Sequence, residues 1–214
     1  MENKMSNSSS TGALAAFAAR ACFVVMALMV VVAGALTPGY SHVSQFISEL
    51  GARGSPYEWP VRFAGFLPSG VLLLAFCGFA FAALPRSRGA ALGLLGLAVY
   101  AVGYVVAASF PCDLGCRPET PSTSQLIHNA VGLLGYLLAP AFLLALARAA
   151  LAWPDAGRLV VAGYVASGAA LVGLLTFSPS SPAAGLSQRL MECAVLAWAV
   201  LCGGYLAKQS IRSA

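Results

Sequence analysis

Residues 17–36 read Phe-Ala-Ala-Arg-Ala-Cys-Phe-Val-Val-Met-Ala-Leu-Met-Val-Val-Val-Ala-Gly-Ala-Leu, 20 residues with one charge, Arg20. At ~1.5 Å per residue such a run, as a helix, crosses the ~30 Å hydrocarbon layer of a bilayer. Taken alone it has a rival reading as a secretory signal peptide, with Ala33-Gly34-Ala35 as a small-residue cleavage site. The long leader with Glu2 and Lys4, Arg20 near the start of the run, and the Thr37-Pro38 that follows argue against cleavage.

Working outward, five more runs of the same kind follow at 61–84, 90–110, 126–147, 159–177 and 190–207, each bounded by Pro, Gly or charge. None alternates polar and apolar residues, so they read as helices and not as barrel strands. Composition agrees: of 214 residues 59% are hydrophobic and 9% charged, against roughly a quarter charged in an ordinary soluble domain. Mean hydropathy is +0.82. A water-soluble globule is excluded, and the expectation is an all-α polytopic membrane protein of six spans. Residues 1–16, rich in Ser and Asn, are expected to be a disordered leader, and 208–214 a short tail. The membrane itself is then the first partner. The basic residues form no single stripe, which argues against nucleic acid.

Six spans put both termini on one side. That side and the loops facing it carry Lys4, Arg20, Arg86, Arg88, Arg148, Arg158, Lys208 and Arg212 against Glu2 and Asp155. The opposite side carries Arg53, Arg62, Arg117 and Arg189 against Glu49, Glu58, Asp113, Glu119 and Glu192. The positive-inside rule makes the terminal side cytoplasmic and the localisation the plasma (inner) membrane. Both histidines fall on the outer side, which is where chemistry is expected.

Three outer segments carry the candidates. Residues 40–51 read as a short amphipathic cap helix, started by Ser41 and ended by Gly51, with Val43, Phe46, Ile47 and Leu50 as its apolar stripe. His42, Gln45, Glu49, Ser44 and Ser48 fill its polar surface. Next comes Phe110-Pro111-Cys112-Asp113-Leu114-Gly115-Cys116, with His128 opening the fourth span. The Cys112/Cys116 spacing is not that of a zinc ribbon or thioredoxin motif, and a small structural disulfide is favoured over free or metal-bound thiols. Cys22, Cys77, Cys193 and Cys202 read as packing residues within spans. Asp113 and His128 sit at helix ends in one layer, where a carboxylate can orient an imidazole or form a plain structural pair with it. In the third segment, Ser187 reads as the cap of the last span. Arg189 and Glu192, at i and i+3, lie about a turn apart on it. Glu192 is deep enough that it must face the interior, be paired or be protonated, with Arg189 the expected partner or an anchor for an anionic group. Within the spans, Gly89, Gly93, Gly132, Gly135, Gly168 and Gly173 read as helix-packing positions. Gly103-Tyr104-Val105 and Gly163-Tyr164-Val165 suggest a faint internal repeat.

The run from Pro38 to Gly51, the segment from Phe110 to Cys116 ahead of His128, and Gly185-Leu186-Ser187-Gln188-Arg189 resemble a prokaryotic six-helix membrane family catalogued as a domain of unknown function (DUF998-like). The resemblance implies the fold and supplies no activity. In plan alone, the chain is distantly similar to lipid-remodelling proteins of the Frag1 and DRAM type.

Two functional classes follow. One is an outward-facing polar site that binds or processes a lipid-like or small amphipathic molecule. It uses Asp113, His128, Ser44, Ser48 and Glu49 as candidate catalytic groups and Arg189, Glu192, His42 and Gln45 as binding groups. In an enzyme, His128 would be the base, a serine or water the nucleophile, and Arg189 the anion clamp. No G-x-S-x-G, H-E-x-x-H or phosphate-binding glycine loop is present. A zinc variant would use His42, Glu49, Asp113 and His128, and a b-type haem variant His42 and His128. The other class is a structural, assembly or transport-accessory protein whose polar cluster only pins the cap. The cofactor is left undetermined.

Overall fold

The computed structural model describes residues 2–212, with side chains from Ser10 onward. Six helices are long and apolar enough to cross a membrane. We label them α1 (Glu2–Leu36), α2 (Glu58–Ala83), α3 (Arg88–Ser109), α4 (Thr123–Ala150), α5 (Gly157–Thr176) and α6 (Ala184–Arg212). Each packs on its neighbours in sequence, and α6 closes the ring on α1. Every expected span is present, and the all-α polytopic membrane fold stands. No strand occurs among the described residues.

Apolar burial drives little in lipid, so close backbone approach has to hold such a ring together. A Cβ on Gly163 would come within 2.7 Å of Ala147 Cβ, and one on Gly203 within 2.8 Å of Ala16 Cα. Gly93, Gly135 and Gly173 pack similarly against Leu146, Tyr100 and Met191. Gly132 and Gly168 do not serve as packing glycines, since a Cβ on either would meet nothing within 4 Å.

The ends of the elements depart from the expectation at four places. Residues 10–16 are helical, and Ala15 and Ala16 are buried against Gly203 of α6. The expected disordered leader is thus helical over 10–16, where its small residues pack on α6. That expectation for Met1, and for side chains 2–9, lies outside the described residues. The cap is not one helix over 40–51: turns occupy 42–45, and only Ile47–Gly51 forms a single 3-10 turn. Phe46, Ile47 and Leu50 are buried as the stripe required, whereas Val43 is exposed. The last helix begins at Ala184, so Ser187 lies inside its first turn and donates instead to Thr176 O and Ala183 O. Cys193 faces outward from α6, while Cys22, Cys77 and Cys202 are buried.

Two prolines shape the walls of the bundle. Pro68 has no N–H to offer Ala64, and the preceding turn, Val61–Phe66, widens to a π-helical turn in which Leu67 N–H reaches back to Arg62 O. Arg62, 8% exposed, is satisfied there by Glu58 Oε1 at 2.6 Å and Ala108 O at 2.8 Å, with its guanidinium over Trp59. Pro140 lies inside α4, where Ser167 Oγ donates to its carbonyl at 2.8 Å.

Candidate functional site

The face opposite the termini is built by fastened loops. Arg189 of α6 donates to Gln45 O at 3.0 Å, Gly185 O at 2.9 Å, Tyr40 Oη at 2.6 Å and His42 Nδ1 at 3.0 Å. Leu186 N–H reaches Val43 O, and Ile47 N–H reaches Gln188 Oε1 at 2.6 Å. Glu49 closes the segment on itself, accepting from Phe46 N–H and Gln45 Nε2, with Arg117 3.7 Å away. Burial pushes the Tyr40 phenol up, against the pull of Arg189. Burial, and then the Arg189 charge, hold the His42 imidazole below its ordinary value.

The second loop has its own fastening. Asp113 accepts from Ser122 N–H at 2.9 Å and Ser122 Oγ at 2.7 Å. Those two hydrogen bonds keep its carboxyl below the ordinary range. Ser122 Oγ in turn caps α4 by accepting from Gln125 N–H. Gln125, 1% exposed, accepts from Asp113 N–H and donates to Cys116 O and Asn129. Cys112 and Cys116 form the expected disulfide, and Arg53 N–H bonds Cys112 O to join the two loops.

The expected outer cluster is therefore not one site. Asp113 does not orient His128, whose Nδ1 lies 3.1 Å from Phe110 O. A carbonyl can only accept, so Nδ1 carries a proton, and in the neutral imidazole Nε2 keeps its lone pair. Arg189 does not pair with Glu192: its Nη1 and Nη2 are spent on the first loop and on Gly185 O. Ser44 contributes its carbonyl to Arg117. Among the described residues no three His, Cys, Asp or Glu side chains converge, so His42, Glu49, Asp113 and His128 do not form a zinc site. His42 and His128 belong to separate networks and do not form a haem pair.

Beneath the loops the bundle holds a cavity of about 320 Å³. Phe46, Ile47 and Ser48 roof it, Tyr100, Gly103 and Tyr104 come from α3, His128, Gly132 and Tyr136 from α4, and Gln188 and Glu192 from α6. Glu192 lies at its floor, 6% exposed. The carboxylate accepts from Tyr104 Oη and from Tyr136 Oη, the latter at 2.9 Å. Gln188 Nε2 donates to Tyr136 Oη at 2.7 Å, and so ties the floor to Ile47 in the roof. Tyr100 stands by the same carboxylate, its ring 5.6 Å from Tyr104 and 5.9 Å from Tyr136, yet its buried hydroxyl has no hydrogen-bond partner. Asn129 and Leu133 line the cavity and are also exposed on α4, where it reaches the bundle surface.

Sequence reasoning found Glu192, Ser48 and His128, and missed Tyr100, Tyr104, Tyr136 and Gln188. The signal was present: Tyr100 and Tyr104 are i and i+4 in mid-span, and a phenol at that depth must find a partner. The acid nearest to mid-bilayer among the spans was the obvious one.

The fold and cavity define a polytopic α-helical membrane protein with a polar-floored chamber in one half of its bundle. The chain belongs to the family described as protein of unknown function DUF998, which it matches over residues 20–204. No curated protein and no solved structure matches it, so the likeness of plan to Frag1 and DRAM proteins gains no support.

Proposed function

We propose that this membrane protein binds a lipid-like or small amphipathic molecule in the chamber beneath its loop face, and that this face is the exterior one. The observation that carries the reading is the cavity itself, about 320 Å³, walled by apolar and aromatic groups with Glu192, Gln188 and His128 among its lining. Buried polar groups are paired as a rule, and a chamber of ~300 Å³ or more with a few converging polar groups is what ligand sites look like. The opening beside Asn129 and Leu133 on α4 gives an apolar tail a way into the bilayer. The sorting of charge, with eight of the twelve cations on the terminal side, supports the orientation.

Gly132 supplies the test. A Cβ there meets nothing within 4 Å and Gly132 lines the chamber, so Gly132→Leu grows into open space and removes a helix-interior glycine. Native mass spectrometry of protein purified from membranes is expected to show a bound molecule on the wild type and none on Gly132→Leu. Equal occupancy of both, or none on either, would overturn the proposal.

Asp113 and Arg189 favour a second, structural reading for themselves alone. Each fastens a loop to a helix end and contributes nothing to the cavity wall, as the non-enzymatic class requires of them.

A further inference from the structure

The charges around the cavity floor do not balance. Glu192 is a buried acid at membrane depth, and among the described residues no cation forms an ion pair with its carboxyl group. The nearest candidate in sequence, Arg189, is committed to Gln45, Gly185, Tyr40 and His42. What Glu192 does have is neutral: the hydroxyls of Tyr104 and Tyr136. Neutral donors satisfy lone pairs but do not compensate a charge, so the ionised form of Glu192 is expensive at this depth unless a cation joins it.

The other groups facing the chamber have the same character. Three tyrosine rings surround the carboxylate, with Phe177 5.3 Å from Tyr136 and Phe46 5.3 Å from Phe177. Ring faces carry negative potential and attract cations, most strongly away from water. His128 has spent its proton on Phe110 O, leaving an acceptor nitrogen on a residue that lines the cavity. An anion would find a carboxylate and aromatic faces here, with Arg189 engaged elsewhere. A metal ion would find one carboxylate without the second and third ligands it needs.

We propose that the chamber is a site for an organic cation: an ammonium group held beside Glu192 among the rings of Tyr100, Tyr104 and Tyr136, on an apolar body that extends past Leu133. This names the ligand class of the amphipathic molecule proposed above and rests on that reading. The ammonium supplies the charge that Glu192 lacks, and its apolar substituents meet the aromatic walls. The volume, about 320 Å³, holds a trimethylammonium head and a short chain, being roughly ten times the share of one liquid water.

Three soluble probes with one tail and different heads decide it: hexyltrimethylammonium, hexanol and hexyl sulfate. Each is titrated calorimetrically into the full-length protein in dodecyl maltoside, a detergent without charge. Hexyltrimethylammonium is expected to bind at least about tenfold tighter than hexanol, with hexyl sulfate the weakest. Glu192→Gln is expected to erase that preference while hexanol binding persists. Gly132→Leu is expected to remove all three. Equal affinities, or a preference for hexyl sulfate, would refute the cation and leave the amphipathic chamber standing, provided Gly132→Leu still abolishes binding. A preference that survives Glu192→Gln would also refute it. Binding of no probe to the wild type would overturn both proposals. The ranking on the wild type decides the matter even if Glu192→Gln fails to fold.

Discussion

The Tyr100 hydroxyl gives a prediction whose sign is unusual. Tyr100 is 4% exposed, its ring is wedged against Tyr104, Tyr136 and Phe142, and its hydroxyl is buried without a partner. Tyr100→Phe keeps the ring contacts and removes only the orphaned oxygen. Leaving a hydroxyl buried and unpaired costs about 1–3 kcal/mol, so the ligand-free protein should gain about 1 kcal/mol, the lower end, because the Glu192 carboxyl group lies beside it. Tyr104→Phe makes the same chemical change one turn away but removes a donor to the Glu192 carboxylate, and should lose about 1.5–3 kcal/mol. The two variants are thus separated by at least about 2 kcal/mol in opposite directions from wild type. The assay is reversible unfolding in mixed micelles by increasing dodecyl sulfate fraction, followed by far-ultraviolet circular dichroism, on protein stripped of bound amphiphile. If Tyr100→Phe destabilises as much as Tyr104→Phe, the hydroxyl has a structural partner and the reasoning about an unfilled site fails.

Other consequences are directly measurable. Arg189→Lys cannot reproduce the forked contacts to Gln45, Gly185, Tyr40 and His42, and is expected to cost about 1–3 kcal/mol in the same unfolding assay while leaving probe binding within a few-fold. Asp113→Asn weakens the tie to Ser122 at the start of α4 and is expected to lower the unfolding midpoint slightly; His128→Gln should instead act on the chamber and change affinity for bound amphiphile. For pH, the folded His42 resists protonation while the unfolded chain takes its proton near the ordinary 6.5. Stability is therefore full above that value and falls as pH drops below it. His42→Asn should flatten the slope seen between melting curves at roughly pH 5.5 and 7.5.

The spans were legible because hydrocarbon thickness leaves so little freedom: any run of some 20 apolar residues bounded by Pro, Gly or charge has one stable state in lipid. The helix ends were less so. Ser187 has a cap's identity, but Ala184 begins the helix because Ser181 starts the turn before it. The first-loop stripe predicted a helix, yet Gln45, Glu49 and Arg189 tie residues 41–46 into turns, satisfying the backbone groups a helix would have used. Partner choice was the least legible layer. Asp113 and His128 were matched by type and by proximity to helix ends, whereas Ser122, nine residues after Asp113, was within easier reach of the carboxylate. Glu192 was matched to Arg189 because they neighbour one another along α6. A helix places i and i+3 side by side but does not say which other helix faces them, and α3 and α4 brought tyrosines to that spot. Gly132 was misread for a related reason: a small residue in a span permits close packing or leaves room, and only the neighbouring helices decide which.

The central claim is that the chamber above Glu192 is a binding site. A cryo-electron microscopy map of the protein taken directly from membranes into nanodiscs, at a resolution that separates side chains, tests it most directly. The account predicts elongated non-protein density that lies against the Tyr100 ring and the Glu192 carboxyl group and runs out past Leu133, absent from Gly132→Leu. A chamber holding only discrete water peaks, or one closed by Tyr100 and Phe46 packing together, would contradict it.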